Sequence, residues 1–332
     1  MDYPDEGSVR EIVDGVLWVR MPLPFQLNHV NLWLLEDGDG WVLIDTGINS
    51  FETRELWGKL LQTLPHGGRI SRLICTHAHP DHIGLAGWFG TNFSPDLITT
   101  RNELRDGIFF CQGWEDKGAE LVKYFRTAGC TGTQVMQIRE HVFGSHHFYS
   151  GMPASCNIIA NGDTVEIGGR QWRVMVAYGH SSEHVCLFCH EAGVLIGGDQ
   201  ILPKITPTIV LPPDRQDGNP LAAFLESNQQ FRCLPEKTLI LPGHNRPFYG
   251  LHARLDEYEL HHDDRLGMTF SACSVARSAV EVAARLFKLS SDPHQLFFAV
   301  GETLSHIRYL EIEGKISVKE SEDGVKLFKQ AA

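Results

Sequence analysis

Three imidazoles and a carboxylate fall within six residues in Thr76-His77-Ala78-His79-Pro80-Asp81-His82-Ile83-Gly84. Imidazole nitrogen and carboxylate oxygen are donors suited to Zn²⁺ and similar borderline ions. Side chains alternate along an extended segment, so a His-x-His pair sends both rings to one side. Asp81 and His82 then fall at the turn into a helix and can face a second point close by. Three later segments offer the same donors: Ala177-Tyr178-Gly179-His180, Ile196-Gly197-Gly198-Asp199 and Leu241-Pro242-Gly243-His244. Each follows an apolar run and carries glycine, where the backbone turns tightly and packs close. Taken singly, each reads as an ordinary turn. Together, the four strand-end placements give five His and two Asp, enough for two metal ions with Asp199 between them.

The elements that must position these residues are visible as short runs. Val16–Arg20, His29–Leu35 and Trp41–Asp45 are apolar, β-branched or aromatic, and Gly and Asp punctuate them, which predicts strands joined by hairpins. A helix is predicted from Phe51 to Leu64, capped by Asn49 or Ser50, with Leu56, Leu60, Leu61 and Leu64 on one face. Arg72–Cys75 is a strand running straight into the histidine cluster. The stretch 100–152 is more helical and irregular, and it reads as an inserted cap over the main sheets. Strands return at Gln171–Val176, Val185–Cys189, Val194–Ile196 and Thr238–Leu241, with a helix at Pro220–Phe231. A helix from Leu251 leads out of a core domain of residues 1–264. Residues 265–332 then read as helix (Val275–Leu289), helix (Pro293–Leu310) and hairpin (Ile316–Lys319 and Val325–Phe328), the outline of a winged-helix module.

The whole chain has 332 residues, 42% of them hydrophobic and 21% charged, an ordinary globular balance that excludes a fibrous or mostly disordered protein. The formal net charge is −12. It is unevenly spread: residues 1–264 hold 20 basic and 33 acidic residues, whereas 265–332 hold 9 and 8. An acid excess argues against nucleic acid, since neutralising phosphate needs Lys and Arg. No apolar run approaches the roughly 20 residues that cross a bilayer, so no membrane partner is expected. The acidic start Met1-Asp2-Tyr3-Pro4-Asp5-Glu6 lacks the order of a secretory signal. Eight sparse cysteines point to reduced thiols and a cytoplasmic setting.

The order HxHxDH, followed by His, Asp and His on later strand ends, resembles the metallo-β-lactamase-fold hydrolase superfamily. Asp45-Thr46-Gly47 matches a further motif of that family, which implies that Asp45 supports the ligands from behind. The resemblance covers about residues 12–250. It implies a four-layer αββα sandwich, with metals at one edge between the sheets. It also implies His77, His79 and His180 on one ion, Asp81, His82 and His244 on the other, and a bridging Asp199. Gly198-Asp199-Gln200-Ile201-Leu202-Pro203-Lys204-Ile205, Leu241-Pro242-Gly243-His244 and the small C-terminal module are similar to the glyoxalase-II-like and β-lactamase-like-protein-2-like hydrolases. True β-lactamases of the fold commonly replace a ligand, notably by Cys at the position of Asp199. The diiron flavoproteins carry an acid where His79 stands.

Two metals roughly 3.5–4 Å apart would lower the pKa of a shared water and polarise a carbonyl, so that hydroxide adds without an acyl-enzyme. Asp81 would orient the nucleophile and pass its proton to the leaving group, which with Asp199 makes the catalytic pair. The expected enzyme is a binuclear-metal hydrolase of a small acyl compound, a thioester first and a lactone second. Zn²⁺ is the first choice of ion, with Fe or Mn²⁺ next. The alternative is a metallo-nuclease of the same superfamily, which the charge counts against. A non-catalytic scaffold is the reading from another class.

Weaker features surround this set. His184, four residues after His180, reads as a support for the ligands rather than one of them. Phe25 and His29 in the loop Pro22–His29, together with Tyr178, Phe148 and Tyr149, are candidate pocket residues, with plain packing as the alternative. His261-His262 reads as surface, and Cys186-x-x-Cys189 as a pair of buried thiols inside a strand. The nearly neutral C-terminal module suits covering the site or forming a homodimer better than reading DNA.

Overall fold

The computed structural model of the chain describes residues 2–25 and 27–331. They divide into two compact units. The first takes residues up to 112, with 146–207 and 231–254; the second takes 113–145, 208–230 and the chain from 255 onward.

The first unit is built on two sheets. One runs in chain order through β1 (Val9–Val13), β2 (Val16–Pro22), β3 (His29–Asp37), β4 (Gly40–Ile44), β5 (Ile70–Ile74), β6 (Asp96–Thr99) and β7 (Cys156–Ile158). Its first four strands are antiparallel, and β4 to β7 are parallel. The other sheet is ordered β12-β11-β10-β9-β8, from β8 (Thr164–Ile167), β9 (Arg170–Ala177), β10 (His184–Cys189), β11 (Val194–Gly198) and β12 (Leu239–Pro242).

Strand alternation builds two cores. Trp33 and Leu35 of β3, with Val42 and Ile44 of β4, share one core with Trp172, Val174, Leu187 and Ile196 of the second sheet. The sheets therefore pack face to face. The opposite residues of the same strands, Val30, Leu32, Leu34 and Leu43, meet Trp57, Leu60 and Leu61 of α1 (Phe51–Thr63) in the other core. Of the two caps expected for α1, Asn49 and Ser50, the structure uses Ser50, whose side chain accepts from Thr53 N. α2 (Pro80–Ile83), α3 (Ala86–Asn92) and α4 (Arg101–Gln112) are further helices of this unit.

Four strands have no counterpart in the sequence reading: β1, β6, β7 and β8. They are three to five residues long and carry charged or polar side chains, as in Val-Arg-Glu-Ile-Val and Thr-Val-Glu-Ile, so no apolar run announces them. Cys186 and Cys189 lie buried in β10 as expected, and all eight cysteines are free thiols.

The second unit contains α5 (Gly118–Thr127), α6 (Gly132–Gly144), α7 (Pro220–Asn228), most of α8 (Leu251–Ala272), α9 (Ala279–Leu286) and α10 (Pro293–Ile312). The hairpin of β13 (Ile316–Glu320) and β14 (Lys326–Gln330) follows. Ser278 and Glu281 form a capping box on α9, and Asp292 with Pro293 starts α10. The 100–152 stretch, expected as one insertion, is divided: 113–145 clusters with the second unit and the rest with the first. The expected boundary after residue 264 falls inside the continuous helix α8. His262 corrects a surface expectation. It is 1% exposed and packs on His306 of α10, because its helix face turns inward. Among the described residues, no helix is long and apolar enough to cross a membrane.

Candidate metal centre

Four strand ends of the first unit bring the seven His and Asp side chains together. β5 ends at Ile74, and the chain turns through Thr76 into His77 and His79. His79 is the N-cap of α2, Pro80 its first residue, and Asp81 and His82 lie in its single turn. His180 follows β9, Asp199 follows β11, and His244 follows β12.

The side chains form three overlapping groups, within each of which the ligand-type atoms lie inside 4.8 Å of one another. They are His77/His79/His180, His77/His82/Asp199 and Asp81/His82/His244. His77 Nε2 is 2.9 Å from His79 Nδ1. His82 Nε2 is 3.5 Å from Asp81 Oδ2 and 3.4 Å from Asp199 Oδ1. His244 Nε2 is 3.3 Å from a carboxylate oxygen of each aspartate, and His180 Nε2 is 3.7 Å from Asp199 Oδ2.

The far nitrogens fix how these rings face. His82 Nδ1 donates to Asp45 Oδ2 at 2.8 Å, and His244 Nδ1 donates to the His29 carbonyl at 2.8 Å. Thr76 Oγ1 donates to Asp45 Oδ2, so toward His77 Nδ1, at 3.0 Å, it acts as acceptor. Each of these three rings thus points Nε2 inward, where a deprotonated nitrogen would offer its lone pair to a cation, the arrangement of a ligating histidine. Buried His82 Nε2 and Asp199 Oδ1 make no hydrogen bond. These are atoms that a divalent cation would satisfy, and the donor set fits one.

Glycine makes the close approach feasible. A Cβ on Gly243 would stand 2.2 Å from Asp199 Oδ1 and 2.9 Å from His82 Cε1. Gly198 has φ +48°, and a Cβ there would stand 2.5 Å from His184 Cε1.

Electrostatics separates two halves. Burial, then the neighbouring imidazoles, pushes His77 well below the ordinary histidine value, and burial with His180 takes His79 down to about 3. On the other side burial opposes charge, but Asp199, Asp81 and Asp45 hold His82 well above its ordinary value. Asp199 and Asp81 likewise outweigh burial at His244 and take it to about 10. Burial would raise Asp199, yet His244 and His82 hold it well below the carboxylate range.

The supporting residues take definite places. Asp45 accepts from Thr76 N at 2.7 Å as well as from Thr76 Oγ1 and His82. His184 is buried, its Nε2 accepts from Asp199 N at 3.1 Å, and its ring stacks on His77. His29 offers its carbonyl to His244, while burial, with Arg20, lowers its own pKa to about 4. Phe25 packs edge-on against Phe148 in the helix-side core. The Tyr149 hydroxyl donates to the Ala78 carbonyl, between the two cluster histidines, at 3.2 Å. Tyr178 is 40% exposed, and its carbonyl accepts from Gln200 Nε2.

Two contributors escaped the sequence reading. Asn31, inside β3, donates from Nδ2 to the carbonyls of Pro242 and Asn245 and so holds the His244 loop. Glu103, in the first turn of α4, accepts from Ala78 N. An Asn within an apolar strand and an acid at a helix start carry no local signal of such roles.

Residues 26–115 and 155–244 match the family described as the metallo-beta-lactamase superfamily, and residues 266–331 match the metallo-beta-lactamase-like C-terminal domain. The chain belongs to the metallo-β-lactamase superfamily, a family of hydrolases. It is 26% identical to the "Probable metallo-hydrolase YqjP" of Bacillus subtilis, over 92% of this chain and 94% of that protein. It is 23% identical to the human "Acyl-coenzyme A thioesterase MBLAC2", over 58% of this chain and 65% of that protein. A β-lactamase domain protein from Burkholderia ambifaria superposes with a TM-score of 0.91 at 33% identity, covering 99% of this chain and 96% of that one. A metallo-β-lactamase family protein from Thermus thermophilus gives 0.80 at 26% identity, covering 95% and 98%.

Proposed function

We propose that the protein hydrolyses a small acyl compound, a thioester ahead of a lactone, at a binuclear metal centre. The observation that carries this is the convergence of seven His and Asp side chains into three groups linked through His77 and His82, with Asp199 in the middle one. A thioesterase among the relatives supports the choice of thioester. In this reading His77, His79 and His180 hold one divalent ion, Asp81, His82 and His244 hold a second, and Asp199 serves both, with zinc the first choice. The bound ions supply Lewis acidity and water activation. The chain's own residues do the rest. Asp45, His184 and the His29 carbonyl keep the donors aimed. Asp81 is the more open aspartate, 16% exposed at its side chain against 10% for Asp199. Its other carboxylate oxygen, the one not facing His82 and His244, would take the proton of the attacking water and return it to the departing thiol sulfur.

The test is turnover of an acyl-CoA, S-lactoylglutathione, a homoserine lactone and single-stranded RNA by protein loaded with zinc. Thioester cleavage is expected, slower on the lactone. RNA cleavage with the two thioesters and the lactone untouched would reverse the assignment to a nuclease. Asp199→Ala is expected to lower turnover by orders of magnitude while circular dichroism stays unchanged.

A further inference from the structure

A second buried carboxylate stands behind the metal centre and belongs to none of the ligand groups. Glu103 is 0% exposed. Its Oε2 accepts from Ala78 N at 2.8 Å, and its Oε1 accepts from Ser181 Oγ at 2.7 Å and from Glu183 N at 2.6 Å. All three donors are neutral. A buried acid without a cation is costly to keep, and here one carboxylate spans two loops that are a hundred residues apart in the chain.

Those loops carry one half of the site. Ala78 lies between His77 and His79, and Ser181 follows His180 directly. The Ala78 peptide is gripped at both ends, its N–H by Glu103 and its carbonyl by the Tyr149 hydroxyl. The rest of the α4 start ties down the same later loop. Thr100 Oγ1 donates to the Glu183 carbonyl at 2.9 Å, Asn102 N donates to Glu183 Oε2 at 2.9 Å, and Ser182 Oγ donates to Asp106. The Asp81/His82/His244 half is held otherwise, by Asp45 at His82 and by the His29 carbonyl at His244.

We infer that Glu103 is a positioning residue for the three-histidine half alone, locking the His77/His79 loop to the His180 loop so that their nitrogens meet on one ion. This rests on the binuclear reading above. Gln at 103 keeps the volume but has one acceptor oxygen, so it can hold one loop and turns an amide N–H₂ toward the donors of the other.

The test is metal affinity of the full-length protein, read by titrating Co²⁺ into apo-protein against a chromophoric chelator and following the cobalt absorption bands. Wild type is expected to take up two equivalents. In a His244→Ala background, which leaves the three-histidine half, Glu103→Ala is expected to weaken the remaining ion roughly 10–100-fold. In a His180→Ala background, which leaves the other half, the same change is expected to leave affinity unaltered. Glu103→Gln should fall between, and it carries the comparison if the alanine variant does not fold. Equal losses in both backgrounds, or none in either, overturn the inference for Glu103 while wild type still binds two ions. A wild-type chain that binds fewer than two overturns the binuclear reading, and the inference falls with it.

Discussion

Asp45 has φ +59°, a left-handed backbone that costs most side chains and that Asp and Asn tolerate. From there it accepts two bonds from Thr76 and one from His82, all while 2% exposed. Asp45→Ala strands those donors and adds backbone strain. The expected loss is about 1–3 kcal/mol of stability in urea unfolding, with metal affinity down roughly 10–100-fold. Asp45→Asn tolerates the same backbone and keeps one acceptor, so it should lose less of both. Equal losses for the two variants would mean that the one oxygen asparagine keeps contributes nothing and that the other carries the whole effect. At this scale the sequence was informative where chemistry and spacing coincide, as in His77, His79, Asp81 and His82. It was silent on Glu103 and Asn31, because hydrogen bonds to distant backbone leave no trace in the residues next to them.

At the scale of elements, β12 is followed at once by a glycine, Gly243, that nothing larger replaces. A Cβ on Gly243 would meet Asp199 Oδ1 at 2.2 Å and the Gly198 carbonyl carbon at 3.2 Å. Gly243→Ala is therefore expected to move His244 or Asp199 and to abolish tight binding of one ion, read by metal content after gel filtration. An unchanged metal stoichiometry would show that the strand end yields instead. The strand-end glycines were legible because Gly beside a ligand-type residue recurs three times. Edge strands such as β1 and β8 were not, since a short polar strand is specified by its neighbour's hydrogen bonds rather than by its own pattern. The surface expectation for His262 failed for a related reason: the adjacent histidines 261 and 262 look solvated until His306 on the partner helix α10 is known. His306 Nδ1 donates to the Glu302 carbonyl, and His262 Nδ1 faces His306 Nε2 at 3.3 Å. Burial first, then neighbouring cations, lowers His262 to about 3 and His306 to about 4. The folded pair stays neutral while the unfolded chain takes up protons below about 6.5. Stability from this pair is thus complete above pH 6.5 and drains away as pH falls toward 4, on the order of 2 kcal/mol per imidazole by pH 5. Denaturant unfolding at pH 7 and pH 5 checks this, and His262→Asn, which keeps a donor near Nδ1, should flatten the difference. An equally steep fall in that variant would place the acid sensitivity elsewhere.

The whole molecule divides along lines that chain order conceals. Residues 113–145 and 208–230 cluster with the chain beyond 255, and a reading that moves along the sequence in blocks has no means to join them. The ligand-type residues show the opposite pattern. Positions 77–82, 180, 199 and 244 are spread widely in sequence, yet every one lies in the first unit. Ions held there, as proposed, would close several long loops of that unit at once, so their binding free energy would become folding free energy for it. At an ion concentration 1,000 times the dissociation constant this is about 4 kcal/mol. None of these seven residues lies in the second unit, whose helices α9 and α10 pack on one another through their own apolar faces. Stripping metal with a chelator should therefore speed hydrogen exchange at the backbone of 76–85, 178–184, 197–201 and 242–246. Exchange within α9 and α10 should keep its rate. Peptide-resolved exchange mass spectrometry on loaded and stripped protein reads both at once. Loss of protection spread evenly over 279–312 and 76–85 would show that metal stabilises the chain as one cooperative body, not through the loops that carry its ligands.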